Sequence, residues 1–178
     1  MTGFDDHLLL RTPAKSKISR YGAAVWIAVP LAAILFQVYI PRFIPALSYL
    51  ELPLLVTTYF SLMSRRPVTG AVAGAVIGLL QDSLSHQPMG LFGISKTLVG
   101  YFCASLSLRF DVENNLLRFL LAFFFFLFHQ ILFWVLSRSL LGAALELQAP
   151  QTIIYAALNA VVSLPLFLIL DKLRSDAR

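Results

Sequence analysis

The sequence predicts an all-α membrane protein of six transmembrane helices with both termini in the cytoplasm. Three observations carry that prediction. Apolar residues make up 58% of the 178 residues and charged ones only 13%, with a mean hydropathy of +0.79; a water-soluble chain of this size needs more charge to cover its surface. The apolar residues fall into six runs, each near the roughly 17–25 residues that a spanning helix requires. The basic residues sit almost entirely on one side of those runs, as positive-inside topology demands.

Taken in order, the first run covers 21–40 and follows a basic tail, 1–20, with Arg11, Lys15, Lys17 and Arg20. That flank lies some twenty residues in and no cleavage site follows, so the run reads as a retained helix. It holds Pro30 and Gln37 and is closed by Pro41 and Arg42. The second, 45–63, opens at Pro45, carries Glu51 and ends at Ser64-Arg65-Arg66-Pro67. The third, 68–84, is the shortest; Gly70, Gly74 and Gly78 recur every fourth residue among Ala71, Ala73 and Ala75. Such a face lets backbones approach closely, and it reads first as an internal helix contact. The run ends in Gln81 and Asp82, and a turn containing His86, Pro88 and Gly90 follows. The fourth, 89–108, carries Lys96 and the single cysteine, Cys103, and is closed by Arg109 and Asp111. The fifth, 116–137, is rich in phenylalanine around 123–126, holds His129 and Gln130, and stops at Arg138. Its aromatics suit either lipid or a partner surface. The sixth, 150–170, contains Asn159 and Pro165 and ends at Asp171 and Lys172. All six are continuously apolar, which excludes the period-2 alternation of barrel strands. The expected organisation is a tail at 1–20, a six-helix domain at 21–171 and a second tail at 172–178.

With the N-terminus inside, eleven basic residues fall in cytoplasmic segments and only Arg42 and Arg138 outside. This distribution explains the net charge of +5 as decoration of the membrane face. Membrane lipids, not nucleic acids, are the expected partners of that charge. One cysteine allows no internal disulfide.

Depths counted at ~1.5 Å per residue bring several polar side chains to one level. Glu51 falls about 9 Å, and Lys96 about 10 Å, below the outer face. Asp82 lies only ~22 Å from the inner end of its run, inside a hydrocarbon core of ~30 Å. Gln37, Glu51, Gln81, Asp82, Lys96, His129 and Gln130 all map to the outer half. Ionisable groups there cost roughly 2.5–3.5 kcal/mol each and normally pair or face a cavity. Lys96 with Glu51 or Asp82 is the natural ion pair. The cluster reads either as a set of buried clamps between helices or as a small cavity open to the outside.

Enzymatic signatures are absent from the sequence. There is no HExxH, GxSxG or phosphate loop, and the three histidines have no metal-ligand spacing. Ser95 and Lys96 are neighbours on a helix and point about 100° apart, so they form no dyad. No catalytic residue, cofactor or metal is expected.

The segment 68–110 resembles the rod shape-determining protein MreD family. The residues that carry the resemblance are Gly78 and Asp82 in a G-x-x-x-D arrangement, the turn at Pro88 and Gly90, and the basic end at Arg109. Lys96 departs from the family pattern, where an apolar or small polar residue is expected. The resemblance implies a non-enzymatic scaffold of the bacterial cell-elongation machinery, in the inner membrane and multi-pass. It implies MreC as partner and, through it, MreB, RodA and a class B penicillin-binding transpeptidase. The expected contacts are the glycine face, the phenylalanine-rich fifth helix, and basic loops at Arg65 and Arg66 and at 109–118. The family is also similar in fold to the substrate-binding subunits (S-components) of energy-coupling-factor transporters, so the alternative expectation is a vitamin or small-molecule transporter subunit.

Overall fold

The computed structural model describes residues 23–85, 88, 90–112, 114–142 and 149–175. The tail 1–20, the first residues of the first run, His86, Met89 and the last residues of the C-terminal tail lie outside them. Six α-helices occur among the described residues: α1 (Ala23–Tyr39), α2 (Leu52–Ser64), α3 (Pro67–Leu84), α4 (Leu91–Leu106), α5 (Asn115–Leu141) and α6 (Ala149–Ser175). Two 3-10 turns, Ile40–Arg42 and Pro45–Tyr49, join α1 to α2. No strand occurs among the described residues. Among the described residues five spans are long and apolar enough to cross a membrane, and Leu91–Leu106 is a shorter apolar helix. The chain is a multi-pass membrane protein by these dimensions.

The second run departs from expectation. It is not one helix from Pro45: the backbone breaks at Leu50 and Glu51, and α2 starts only at Leu52. Pro45 sits in the first turn of a 3-10 helix and Pro53 in the first turn of α2, positions where a missing N–H costs nothing. Glu51 is therefore the residue that begins α2, its carbonyl accepting from Leu54 and Leu55 at 3.0 and 3.1 Å, and not a mid-helix residue. The ends of the last two helices also shift. Arg138 lies in the last turn of α5, and Asp171 and Lys172 are helical in α6.

The turn between α2 and α3 is two residues long. Arg65 takes a left-handed conformation with φ 49°, and Pro67 holds Arg66 extended at φ −131°, ψ 109°. At the other end of α3, Gly90 has φ 103°, a conformation that favours glycine and starts α4.

Residues 53–63 of α2 are all buried, and α2 touches each of the other five helices. The core forms around it, with Ile34 from α1, Val99 and Cys103 from α4, Phe126 from α5 and Phe167 from α6. The closest pair is α3 with α4. A methyl group added at Gly70, Gly74 or Gly78 would drive into the backbone carbonyl of Gly100, Lys96 or Phe92 respectively. The antiparallel register is thus 78 against 92, 74 against 96, and 70 against 100. The glycine face is turned on α4 of the same chain.

Candidate functional site

Close approach of α3 to α4 leaves Lys96 no route to water. Its side chain is fully buried and, like any helical side chain, leans toward the N-terminus of its helix. The ammonium lies 4.4 Å above the Phe92 ring, 3.3 Å from His129 Nε2 on α5 and 3.8 Å from Glu51 Oε2. As an ammonium Lys96 only donates, which makes Nε2 the acceptor in that contact. Phe92, His129 and Phe133 stack, with Phe92 parallel to the imidazole at 5.9 Å and inclined 24° to Phe133 at 5.0 Å. Lys96 thus carries its charge among a carboxylate, an imidazole and a ring face.

Glu51 is held by a residue that the depth count placed near the middle of the last run and outside the cluster. Asn159 on α6 accepts from the Glu51 N–H at 2.8 Å and donates to the carbonyls of Tyr49 and Tyr155, both at 2.9 Å. The backbone break before α2 would otherwise leave those groups unserved in a water-poor interior. Tyr49 and Tyr155 stack over it at 4.2 Å.

Of the two carboxylates open as partners of Lys96, Glu51 takes that place. Asp82 is occupied elsewhere: it accepts from the N–H groups of Gly90, Phe92 and Gly93 at 2.9, 3.0 and 3.0 Å. These are the unpaired amides at the start of α4, where the helix dipole favours a negative charge. The spacing of the motif residues now has a physical content. Gly78 lets α3 touch the Phe92 carbonyl, Asp82 one turn later caps α4, exposed Pro88 lies in the connection, and Gly90 supplies the left-handed entry.

Gln81 and His129 are buried, and Gln37 and Gln130 are partly so. Gln37 Oε1, Gln81 Oε1 and His129 Nδ1 have no protein hydrogen-bond partner, and Glu51 Oε2 has only its ion pair. The structure brings Glu51, Lys96 and His129 into contact and sets Asp82 on the adjoining turn. It gives Gln37, Gln81 and Gln130 no hydrogen bond to that group. Ser95, next to Lys96, donates its hydroxyl to the Leu91 carbonyl. No group of three His, Cys, Asp or Glu side chains is placed to hold a metal among the described residues.

A second charge pair, buried on its arginine side, corrects the expected basic loop at 109–118. Arg118 is 4% exposed, inside α5, with Nη1 2.6 Å from Asp171 Oδ2 and Nε donating to the Val112 carbonyl at 2.7 Å. Tyr59 of α2 donates to Asp171 Oδ1 at 2.7 Å. Arg118 is no docking residue; it ties α5 to α6, α2 and the preceding turn. Of the expected basic contacts, Arg66 and Arg109 are exposed and Arg65 is half-buried. The phenylalanine run divides: Phe125 and Phe126 are buried while Phe124 is exposed.

Compared with known families, residues 18–173 match the model described as rod shape-determining protein MreD. No curated protein matches the chain. No solved structure matches it.

Proposed function

The chain belongs to the MreD family of rod shape-determining proteins, and from that premise we propose that it is a non-enzymatic scaffold of the cell-elongation machinery. It sits in the inner membrane with both termini in the cytoplasm. It docks MreC and, through it, MreB, RodA and a class B penicillin-binding transpeptidase. The same premise carries the proposed likeness in fold to energy-coupling-factor substrate-binding subunits.

One observation supports a scaffold above a transporter subunit: the charges inside the bundle are turned on the chain itself. Lys96 faces Glu51 and His129, Asp82 meets three backbone amides, and Arg118 meets Asp171. Networks of this kind hold helices in one register. With Gly70, Gly74 and Gly78 against α4, docking falls to the exposed side of α5 around Phe124 and to Arg109.

Depletion in a rod-shaped host tests the reading. Cells round up, and MreC no longer co-purifies with the elongation synthases. Unchanged shape together with lost uptake of a nutrient overturns the scaffold and favours the transporter subunit.

A further inference from the structure

We propose that Arg65 and Arg66, with the groove between α1 and α3, form a binding site for one anionic phospholipid. This inference goes beyond the scaffold reading and does not depend on it.

The groove holds about 370 Å³ and is walled by Trp26, Ile27, Val72, Ala73, Val76 and Leu80. Its lining on α3 runs from Thr69 to Leu80, about 16 Å at 1.5 Å per residue, the scale of an acyl chain in one leaflet of a ~30 Å core. The open side is formed by half-exposed aliphatic side chains: Ile27 is 69% exposed, Val72 57% and Val76 52%. The wall therefore faces the bilayer.

The charge lies at one end of this groove. Thr69 is the third residue of α3, which begins at Pro67, so the groove starts one turn from Arg66. Neither Arg65 nor Arg66 has a side-chain hydrogen bond or ion pair among the described residues, in contrast to Arg118. The two-residue turn, with left-handed Arg65 and extended Arg66, carries two consecutive arginines. Guanidinium binds phosphate bidentately, and basic clusters beside interhelical grooves recognise anionic headgroups. Trp26, stacked on Phe60 at 4.6 Å, lines the groove three residues into α1, and indoles favour the membrane interface. A phosphate on the turn and an acyl chain in the groove satisfy charge and shape together. A protein helix in the groove would leave the two cations unmatched unless it brought its own acid.

The test uses the full chain, purified and delipidated, with native mass spectrometry of added phosphatidylglycerol and phosphatidylcholine of matched acyl chains. Phosphatidylglycerol is expected to bind more tightly. The pair R65Q/R66Q should weaken it about 25-fold, roughly fivefold per arginine, while R42Q at the opposite end leaves it unchanged. V76W fills the open side of the groove and should weaken both lipids. A melting temperature within the wild-type range in each variant separates lost binding from lost folding. Equal affinity for the two lipids, or an R42Q effect as large as that of R65Q/R66Q, overturns the headgroup seat. Unchanged lipid binding in V76W, or capture of a partner's transmembrane helix in the groove by cross-linking from V76C, overturns the acyl seat.

Discussion

A carboxylate inside a bilayer protein can neutralise a cation, as Glu51 and Asp171 do, or satisfy backbone amides, as Asp82 does. Asp82 caps α4 through three amides, and removing it strands them in an interior without water. D82A is expected to cost about 2–3 kcal/mol, judged from cap loss and unsatisfied donors. D82N keeps one acceptor oxygen and should cost less. Thermal unfolding of the purified chain ranks the two, and equal costs would remove the capping role. Glu51 and Lys96 behave as a pair. K96M leaves Glu51 buried without its cation, a change that typically costs 3–5 kcal/mol. Adding E51Q should recover much of that loss, because the stranded charge is gone. R42L, on an exposed cation, should leave the unfolding curve unchanged. A double variant no better than K96M alone would show that the pair is not the unit.

At the scale of elements, the contact between α3 and α4 depends on missing side chains. Alanine at Gly74 or Gly78 would meet rigid carbonyls of Lys96 and Phe92, whereas at Gly93 it would meet the Leu79 side chain at 2.9 Å. A flexible side chain can swing aside, and a helix backbone cannot. G74A and G78A are therefore expected to destabilise by at least the roughly 1–3 kcal/mol of ordinary overpacking, and G93A by less. Unfolding midpoints check the order. The glycine spacing was legible in the sequence because every fourth residue of a helix shares a face. The start of α2 was not. An apolar window averages over 45–63, and only the paired Pro45 and Pro53, read as two helix starts, signal the break at Glu51. Arg118 was misread for a related reason. Its charge looked like loop punctuation, although a lone arginine three residues into an apolar run can be drawn inward when another helix, here α6 through Asp171, supplies the acid.

For the whole molecule, helix length is unequal in a way that places the polar site. At 1.5 Å per residue, the 13 residues of α2 reach ~20 Å and the 16 of α4 reach ~24 Å, short of a ~30 Å core. The 27 residues of α5 and of α6 exceed it. Short helices must begin below the membrane surface, and irregular backbone at that depth survives only when protein surrounds it. That is why Glu51 and the amides of α4 are buried and why Asn159 and Asp82 serve them. The depth count from the sequence brought Glu51, Lys96 and His129 to one level because helical rise is uniform. Which neighbours touch depends also on rotation about each helix axis, which helical rise does not fix. The two basic residues expected outside, Arg42 and Arg138, both lie over aromatic rings, at 5.4 Å from Tyr39 and 5.5 Å from Trp134, as interfacial anchors do. Orientation is then the last property to test. The native Cys103 is fully buried, so introduced cysteines report without background. S48C, on the exposed 3-10 turn before α2, should react with a membrane-impermeant maleimide in intact spheroplasts. L108C, after α4 on a residue 60% exposed, should react only after permeabilisation. The opposite pattern would invert the molecule and move Arg65, Arg66 and Arg109 to the outer face, where no anionic cytoplasmic leaflet could attract them.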